Sequence, residues 1–228
     1  PCKLLAENID MKNIDKNSNS ATDLSWTNLT LDEKIGQMIM ARMSGKFHNS
    51  SDYSIQDVKY LIQNYNVGGL IMFYGNVHGA AHNISLFQNL SKTPLLIASD
   101  YERGIGQWMS DGGTLFPSNM AVSATGRFSN AYDQGAVIAN EAKSLGVHLV
   151  LAPVLDINNN PKNPIINTRS FGEHPDSVYH YSKEFIRGLK DHGMLATAKH
   201  FPGHGDTETD SHSALAQIPS DSSRLWTI

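Results

Sequence analysis

The sequence has 228 residues, of which 40% are hydrophobic and 18% are charged, and its formal net charge is -4. This balance suits a globular protein of one or two domains and excludes a disordered or fibrous chain. The negative charge, without any block of Lys and Arg, argues against a nucleic-acid partner. No run approaches the roughly 20 apolar residues of a membrane span, so we expect no membrane span and a soluble mature chain.

The N-terminal region carries little structural information. Residues 1–28 are rich in Asn, Asp, Ser and Lys, a composition that buries little surface and predicts a polar arm. Cys2 is the single cysteine, which excludes a disulfide framework and a cysteine-based metal cluster. Because the chain begins at Pro1 rather than Met, we expect a trimmed N-terminus. The compartment and the oligomeric state stay open, with a bacterial periplasm or cell envelope slightly favoured over the cytoplasm.

Apolar segments alternate with amphipathic helices along the rest of the chain. Thr30 and Glu33 have capping-box spacing and predict a short helix that begins at Leu31. The predicted strands are 35–43, 67–73, 94–99, 147–154 and 194–198. The predicted helices between them are 55–65, 78–90, 130–145 and 176–190, in which apolar residues recur at helical spacing.

Apolar strands that alternate with helices predict a parallel α/β sheet covered by helices, either a closed barrel or a doubly wound sheet. Polar residues lie at the ends of three predicted strands: Asp100, Asp156, and Lys199 with His200. Because the strands of a barrel converge on one mouth, this pattern favours a TIM-type (β/α)8 barrel. Since a complete barrel takes about 250 residues, we expect residues 29–228 to form only its N-terminal part, about the first five β/α units.

The stretch KHFPGHGDTETDSH, residues 199–212, follows the last predicted strand, where a scaffold places a reactive loop. His and carboxylate side chains at close spacing are common metal donors. The residues that could act as such donors are His200, His204, Asp206, Asp210 and His212. From the residues alone, a metal-dependent hydrolase remains an open reading.

The same stretch resembles the signature of family 3 glycoside hydrolases, in particular their β-N-acetylglucosaminidase branch of the peptidoglycan-recycling type. The pattern of that branch is KHFPGHG, four residues, then DSH. The segments VGGLIMF, IASDYERG, LAPVLDIN and NTRSFGEHP extend the resemblance in the family's order, from Leu29 to the end. It implies an exo-acting enzyme without a cofactor whose substrate is a carbohydrate with a terminal N-acetylglucosamine, in a muropeptide or chitin-type oligosaccharide.

The resemblance also implies a retaining mechanism, in which one group protonates the leaving oxygen and a carboxylate attacks the sugar carbon. In this branch the acid/base is a His held by an Asp two residues earlier, here His212 and Asp210. Imidazole titrates near neutral pH, so it can donate a proton and then activate water. The family's nucleophile is an Asp after a later strand, beyond residue 228, so we expect this chain alone to hydrolyse little.

Four further positions match those that hold the terminal sugar in the family: Asp100, Arg169, Lys199 and His200. From the residues alone, Asp100 could instead cap a helix, Lys199 could lie in solvent, and Arg169 could tie its loop to the scaffold. Asp156 is interpreted as structural.

One departure from the branch concerns Trp108, which stands where an Arg often follows the DxExG motif. An aromatic ring there predicts stacking against a second sugar in place of charge. Three other readings stay open: a β-glucosidase or xylosidase of the same family, the metal-dependent hydrolase, and a non-catalytic sugar-binding remnant.

Overall fold

The computed structural model of the protein describes residues 26–218, 221 and 223. The predicted arm lies outside the described residues as far as residue 25, and Trp26–Asn28 form a 3-10 helix. The α-helices that follow are α1 (Leu31–Gln37), α2 (Tyr53–Tyr65), α3 (Val77–Leu90), α4 (Asn119–Ser123), α5 (Ser129–Ser144) and α6 (Pro175–Asp191). The strands are β1 (Met40–Gly45), β2 (Gly69–Gly75), β3 (Leu96–Ser99), β4 (Leu149–Val150) and β5 (Leu195–Ala196).

The five strands form one parallel sheet in the order β1-β2-β3-β4-β5, which is also their order in the chain. A doubly wound sheet would reverse its strand order at a switch point, whereas a (β/α) barrel adds each strand beside the last. The predicted TIM-barrel type of fold is therefore confirmed, with five consecutive strands among the described residues. None of the described helices has the length and apolar character needed to cross a bilayer.

The bounds of the four longer helices agree with the predicted bounds to within two residues, but those of the first strand do not. Its prediction over 35–43 is wrong at the start, because α1 runs to Gln37 and β1 begins only at Met40. The capping box explains the difference: Thr30 Oγ1 accepts from the Glu33 N–H at 3.2 Å, and the Thr30 N–H donates to Glu33 Oε2 at 2.9 Å. Ile35 therefore lies on a helix and is half exposed.

Strands β4 and β5 are shorter than the predicted segments 147–154 and 194–198. Pro153 has no N–H to donate, so regular pairing lapses after Val150. The Thr197 N–H is shared between the carbonyl oxygens of Val150, at 3.0 Å, and Ala152, at 3.1 Å. Pairing resumes once, as a parallel bridge between Val154 and Lys199.

Helices α5 and α6 pack against each other through two glycines. A Cβ added to Gly188 would lie 2.2 Å from the carbonyl oxygen of Tyr132, and one added to Gly135 would lie 2.3 Å from that of Phe185. Real side chains cannot make such contacts with backbone, so the two helix axes approach as closely as they do only because both positions lack a side chain.

We expect Gly188→Ala to lower the free energy of unfolding by about 2 kcal/mol, since forcing the helices apart outweighs the better helix propensity of Ala. Urea unfolding followed by circular dichroism measures this loss. Lys190→Ala, an exposed change two residues away on the same helix, is the control and should stay within about 0.5 kcal/mol of the parent. An unchanged Gly188→Ala protein would contradict the close approach of the helices.

Candidate active site

The polar residues that follow the strands lie at the carboxyl edge of the sheet. Asp100 comes directly after β3, and the bridge to Val154 fixes the backbone of Lys199 beyond β5. The Leu155 N–H donates to the Lys199 carbonyl at 2.6 Å, which continues the sheet pairing at this point. The backbone thus directs side chains from three separate loops toward one mouth.

A buried carboxylate, Glu102, joins two of these loops. Arg169 binds it through a two-pronged contact, with Nε to Oε2 at 3.0 Å and Nη2 to Oε1 at 2.7 Å. Lys199 Nζ lies 2.7 Å from the same Oε1 and also pairs with Asp100 Oδ1. The Glu102 side chain is 5% exposed, while that of Asp100 is 26% exposed. Glu102 is therefore the interior anchor and Asp100 the carboxylate that remains accessible to a ligand.

The ion pairs control the protonation state of this cluster. Burial raises the pKa of Glu102, but the hydrogen bonds and charges of Arg169 and Lys199 outweigh it, so the pKa lies below its ordinary value. Burial lowers the pKa of Arg169, and the bond and charge of Glu102 outweigh it in turn, so that pKa is raised. Both groups are accordingly charged near neutral pH.

Asp156 supports the other side of the mouth. Its Oδ2 lies 2.5 Å from His200 Nδ1, and its Oδ1 accepts from the His204 N–H at 2.5 Å. Burial raises the pKa of Asp156, but these hydrogen bonds lower it by more than burial raises it. The pKa therefore lies below its ordinary value. An ionised Asp156 can only accept a hydrogen bond, so the hydrogen of the His200 ring is on Nδ1. The other ring nitrogen, Nε2, lies 3.5 Å from Arg169 Nη2.

Buried amides hold the backbones of these loops in register. Asn119 donates to the carbonyl oxygen of Arg169 at 2.7 Å. Gln134 donates to the carbonyl oxygen of Glu102 at 3.1 Å and contacts Asn119 Oδ1 at 3.3 Å. The Glu102–Arg169 pair is thereby fixed by its backbone as well as by its charges, which preserves the geometry of the mouth.

The loop after Lys199 is anchored at His204. Thr207 Oγ1 donates to the His204 carbonyl at 2.9 Å and lies 2.7 Å from Nδ1. His204 Nε2 meets Ser211 Oγ at 3.0 Å. Buried Asn163 donates to the carbonyl oxygens of His204, at 2.7 Å, and Thr207, at 2.9 Å.

Asp210 and His212 form a hydrogen-bonded pair on either side of Ser211. Asp210 Oδ1 accepts from the backbone N–H of His212 at 2.9 Å and lies 2.7 Å from its Nδ1. The backbone bond, followed by the side-chain bond, holds the pKa of Asp210 below its ordinary value. The His212 side chain is 76% exposed. Its Nδ1 is thus held by Asp210 while Nε2 faces solvent.

The four residues predicted to bind sugar, Asp100, Arg169, Lys199 and His200, lie in one cluster in the structure. Lys199 is 13% exposed, so it is not a free charge in solvent. The predicted acid/base His212 contacts its partner Asp210, but its hydrogen bonds to described residues do not reach that cluster.

Two members of the site were not nominated from the sequence. Glu102 lies inside the segment IASDYERG, and its partners Arg169 and Lys199 lie far along the chain in two other loops, so no local signal in the sequence points to their meeting. Asp156 was interpreted as structural, and in the structure it orients His200. Over residues 26–218, 221 and 223, no three His, Cys, Asp or Glu side chains are grouped so that they could hold a metal ion.

Fixed charges and directed donors around a polar mouth suit a polyhydroxylated, uncharged ligand, since each hydroxyl exchanges water for a matched partner. In barrel-type scaffolds the active site lies at the carboxyl ends of the strands, where this mouth is found.

Comparison with known proteins identifies the family. The family model described as the glycosyl hydrolase family 3 N-terminal domain matches residues 30–228. A relative named beta-hexosaminidase A, from Pseudoalteromonas piscicida, is 33% identical over 219 residues, which are 86% of this chain and 37% of the relative. The chain belongs to glycoside hydrolase family 3, and the resemblance drawn from the sequence is confirmed.

Two solved structures share the fold. A family 3 β-N-acetylglucosaminidase from Paenibacillus sp. str. FPU-7 has a TM-score of 0.78 at 38% identity, covering 86% of this chain and 38% of that one. A beta-glucoside phosphorylase BglX bound to 2FGlc has a TM-score of 0.72 at 30% identity, covering 90% of this chain and 35% of that one. The chain therefore spans well under half the length of these relatives.

The lowered pKa of Glu102 predicts how stability depends on pH. A carboxyl group whose folded pKa lies below its ordinary value of 4.5 stabilises the fold above that pH, and the contribution is lost as pH falls through the folded pKa. Glu102→Gln removes the buried charge that pairs with two partly buried cations, so we expect a loss of about 3 kcal/mol at pH 7, which shrinks as the pH is lowered below 4.5.

Urea unfolding at neutral and acidic pH measures this dependence. Glu208→Gln is the control, because Glu208 makes an exposed pair with Lys162 at 3.4 Å and its loss should cost under about 1 kcal/mol. Equal effects of the two substitutions at neutral pH would show that Glu102 does not anchor the cluster.

Proposed function

We propose that the chain forms the sugar-binding and acid/base part of a retaining exo-β-N-acetylglucosaminidase that acts on muropeptide or chitin-type oligosaccharides. The observation that carries the proposal is the double hydrogen bond from His212 to Asp210 Oδ1. It fixes the imidazole with Nδ1 inward and leaves Nε2 as a proton-transferring atom, on a loop next to a polar mouth. The names of the family 3 relatives support the substrate class.

In this proposal the mouth binds the terminal sugar in two ways. The accessible carboxylate of Asp100 accepts hydrogen bonds from hydroxyl groups, while Lys199 donates to them from the other side of the same ion pair. Arg169 supplies further directed hydrogens around the ring substituents, including the N-acetyl group, while His200 Nε2 offers an acceptor. Because Glu102 and Asp156 already hold these cations and this imidazole, little reorganisation is needed when the sugar enters.

The acid/base step follows from the geometry of the pair. Protonated His212 donates its Nε2 hydrogen to the glycosidic oxygen as that bond breaks, and neutral His212 then takes a proton from the water that releases the sugar. The lowered pKa of Asp210 keeps this carboxylate charged, so it stabilises the imidazolium form. The carboxylate that attacks the sugar carbon is assigned to no residue of this sequence.

The exposure of His212 implies that the loop must approach the bound sugar before it acts. Ser211 contacts buried His204, and Asp156 binds both the backbone N–H of His204 and the ring of His200. The sugar-binding imidazole and the acid/base loop therefore share one anchor, through which bound sugar and loop position can be coordinated.

We expect His212→Ala to lower kcat/KM for N,N′-diacetylchitobiose by about 100-fold or more, because the sugar leaving group needs a proton. The loss should be smaller with the p-nitrophenyl glycoside, whose leaving group departs without one. The assay uses the longer protein that includes the rest of the barrel, since this chain covers 38% of its structural relative.

His180→Ala, an exposed histidine on α6, is the matched control and should leave both rates unchanged. Equal losses of His212→Ala on the two substrates would remove His212 from the acid role. Faster cleavage of the glucoside than of the N-acetylglucosaminide would favour the β-glucosidase alternative, and sugar binding without turnover would favour a non-catalytic protein.

A phosphorylase is a second candidate, because the beta-glucoside phosphorylase covers 90% of this chain at 30% identity. An imidazole base repels a phosphate nucleophile less than a carboxylate base would. If phosphorolysis is the reaction, added inorganic phosphate will accelerate turnover and the product will be the sugar 1-phosphate. If hydrolysis is the reaction, phosphate will not change the rate and free N-acetylglucosamine will accumulate.

A further inference from the structure

Three side chains at and after the carboxyl end of β1 form a hydrogen-bonded chain. Ser44 Oγ lies 3.1 Å from His48 Nε2, and His48 Nδ1 lies 3.3 Å from Asp52 Oδ2. A hydroxyl, an imidazole and a carboxylate thus meet through the same atoms, in the same order, as in a Ser–His–Asp catalytic triad, which is recognised by its geometry. We refer to these three residues as the Ser44 triad.

The hydrogen bonds of Asp52 determine where the hydrogens of the Ser44 triad lie. The hydroxyl and the N–H of Ser54 donate to Asp52 Oδ1 at 2.6 Å and 2.9 Å, and they hold the pKa of Asp52 below its ordinary value. The charged carboxylate can only accept, so the hydrogen of neutral His48 is on Nδ1. Nε2 is then the acceptor for the Ser44 hydroxyl, which is the arrangement in which an imidazole activates a serine.

The backbone of Ser44 is fixed by the sheet and by a buried amide. Ser44 pairs with Phe73 on β2, and the register of the two strands shifts directly after it, between Ser44 and Gly45. Irregularities of this kind re-aim side chains and are common beside active sites. Fully buried Asn83 donates to the carbonyl oxygens of Ser44, at 2.9 Å, and Lys46, at 2.8 Å. The Lys46 N–H donates to Ser44 Oγ at 3.1 Å, so the hydroxyl oxygen is held in place as well.

A cavity of about 650 Å³ opens beside the Ser44 triad, a volume within the range of small-ligand sites. Ser44 and His48 both line it, so a small molecule in the cavity can reach the triad. The wall also carries Arg42, Lys46 and Asp57, whose charges together leave one positive charge. Positive charge near the nucleophile favours the oxyanion that forms when a hydroxyl attacks an acyl group.

We propose that the Ser44 triad is a second nucleophilic site, which hydrolyses small carboxylic esters. Ser44 Oγ bonds to the acyl carbon while His48 Nε2 takes the hydroxyl hydrogen, and Asp52 stabilises the imidazolium. The bond from the acyl carbon to the alkoxy oxygen then breaks, and the alcohol leaves with the hydrogen from His48. Water that loses a proton to His48 attacks the acyl-enzyme, which releases the carboxylic acid and returns the hydrogen to Ser44.

This activity goes beyond the proposed function, because it uses none of the residues assigned to the mouth or to the acid/base loop. Its position agrees with the scaffold, since Ser44 lies near the carboxyl end of a strand, where barrel enzymes carry their reactive groups.

The test uses the longer protein that includes the rest of the barrel, with p-nitrophenyl acetate as the substrate. We expect Ser44→Ala to lower kcat/KM for the ester by about 100-fold, because the nucleophile is lost. Diisopropyl fluorophosphate is the covalent probe of the wild type. Its phosphorus should bond to Ser44 Oγ as the P–F bond breaks, with the hydrogen taken by His48 and fluoride released, and peptide mass spectrometry locates the modified residue.

His48→Gln removes the base and keeps the nucleophile. We expect it to lower the ester rate by about 100-fold and to slow the labelling of Ser44 by a similar factor. Ser129→Ala is the matched control, because Ser129 is an exposed serine at the start of α5, and it should change neither measurement. Thermal melting followed by circular dichroism checks that each variant is folded.

The labelling result stands even if a variant fails to fold, because it is measured on the wild type. A wild-type protein in which Ser44 stays unlabelled would overturn the proposal. Equal ester rates for the wild type, Ser44→Ala and His48→Gln would do the same, and would show that the three side chains only hold the loop between β1 and α2. Since no glycoside enters these assays, their failure leaves the proposed function intact.

Discussion

The buried carboxylate of Glu102 lies between two cations that arrive from different loops, Arg169 and Lys199. A charge in the interior is tolerated only when its partners are held in good geometry, and each partner here is fixed independently by backbone contacts. The ion pairs therefore act as a constraint on three segments at once: the loop after β3, the short 3-10 helix at Asn167–Arg169, and the end of β5. The accessible surface of Asp100 depends on all three.

Most of the fold could be predicted from the sequence, because the periodicity of helices and strands is a local signal. The parallel topology follows from the alternation of strands with helices. The positions of Asp100, Lys199 and His200 at strand ends could be predicted for the same reason. The role of Glu102 could not, because its partners lie far away in the chain and no local pattern predicts the contact. The start of β1 was misplaced since apolar residues such as Ile35 satisfy helix and strand patterns alike, and only the capping box decides between them.

The two parts of the site differ in how they are held. The mouth, to which we assign sugar binding, is built on buried charges and amides, whereas His212 is exposed and held by Asp210 within its own loop. A rigid mouth favours discrimination among sugars, because misplaced hydroxyls leave buried groups without partners. An exposed side chain can change its position, which the successive roles as acid and base that we propose for His212 require.

The indole of Trp108 also gives the protein an optical property. The sequence contains three tryptophans, and the other two, Trp26 and Trp226, lie near its ends. The Trp108 N–H is bonded to the carbonyl oxygen of Asp100, so its emission senses the polarity and hydration of the mouth. Replacing Trp26 and Trp226 with Phe would leave Trp108 as the single tryptophan of this sequence, at the edge of the mouth. Occupancy of the mouth could then be followed in solution without a label, on the timescale of mixing.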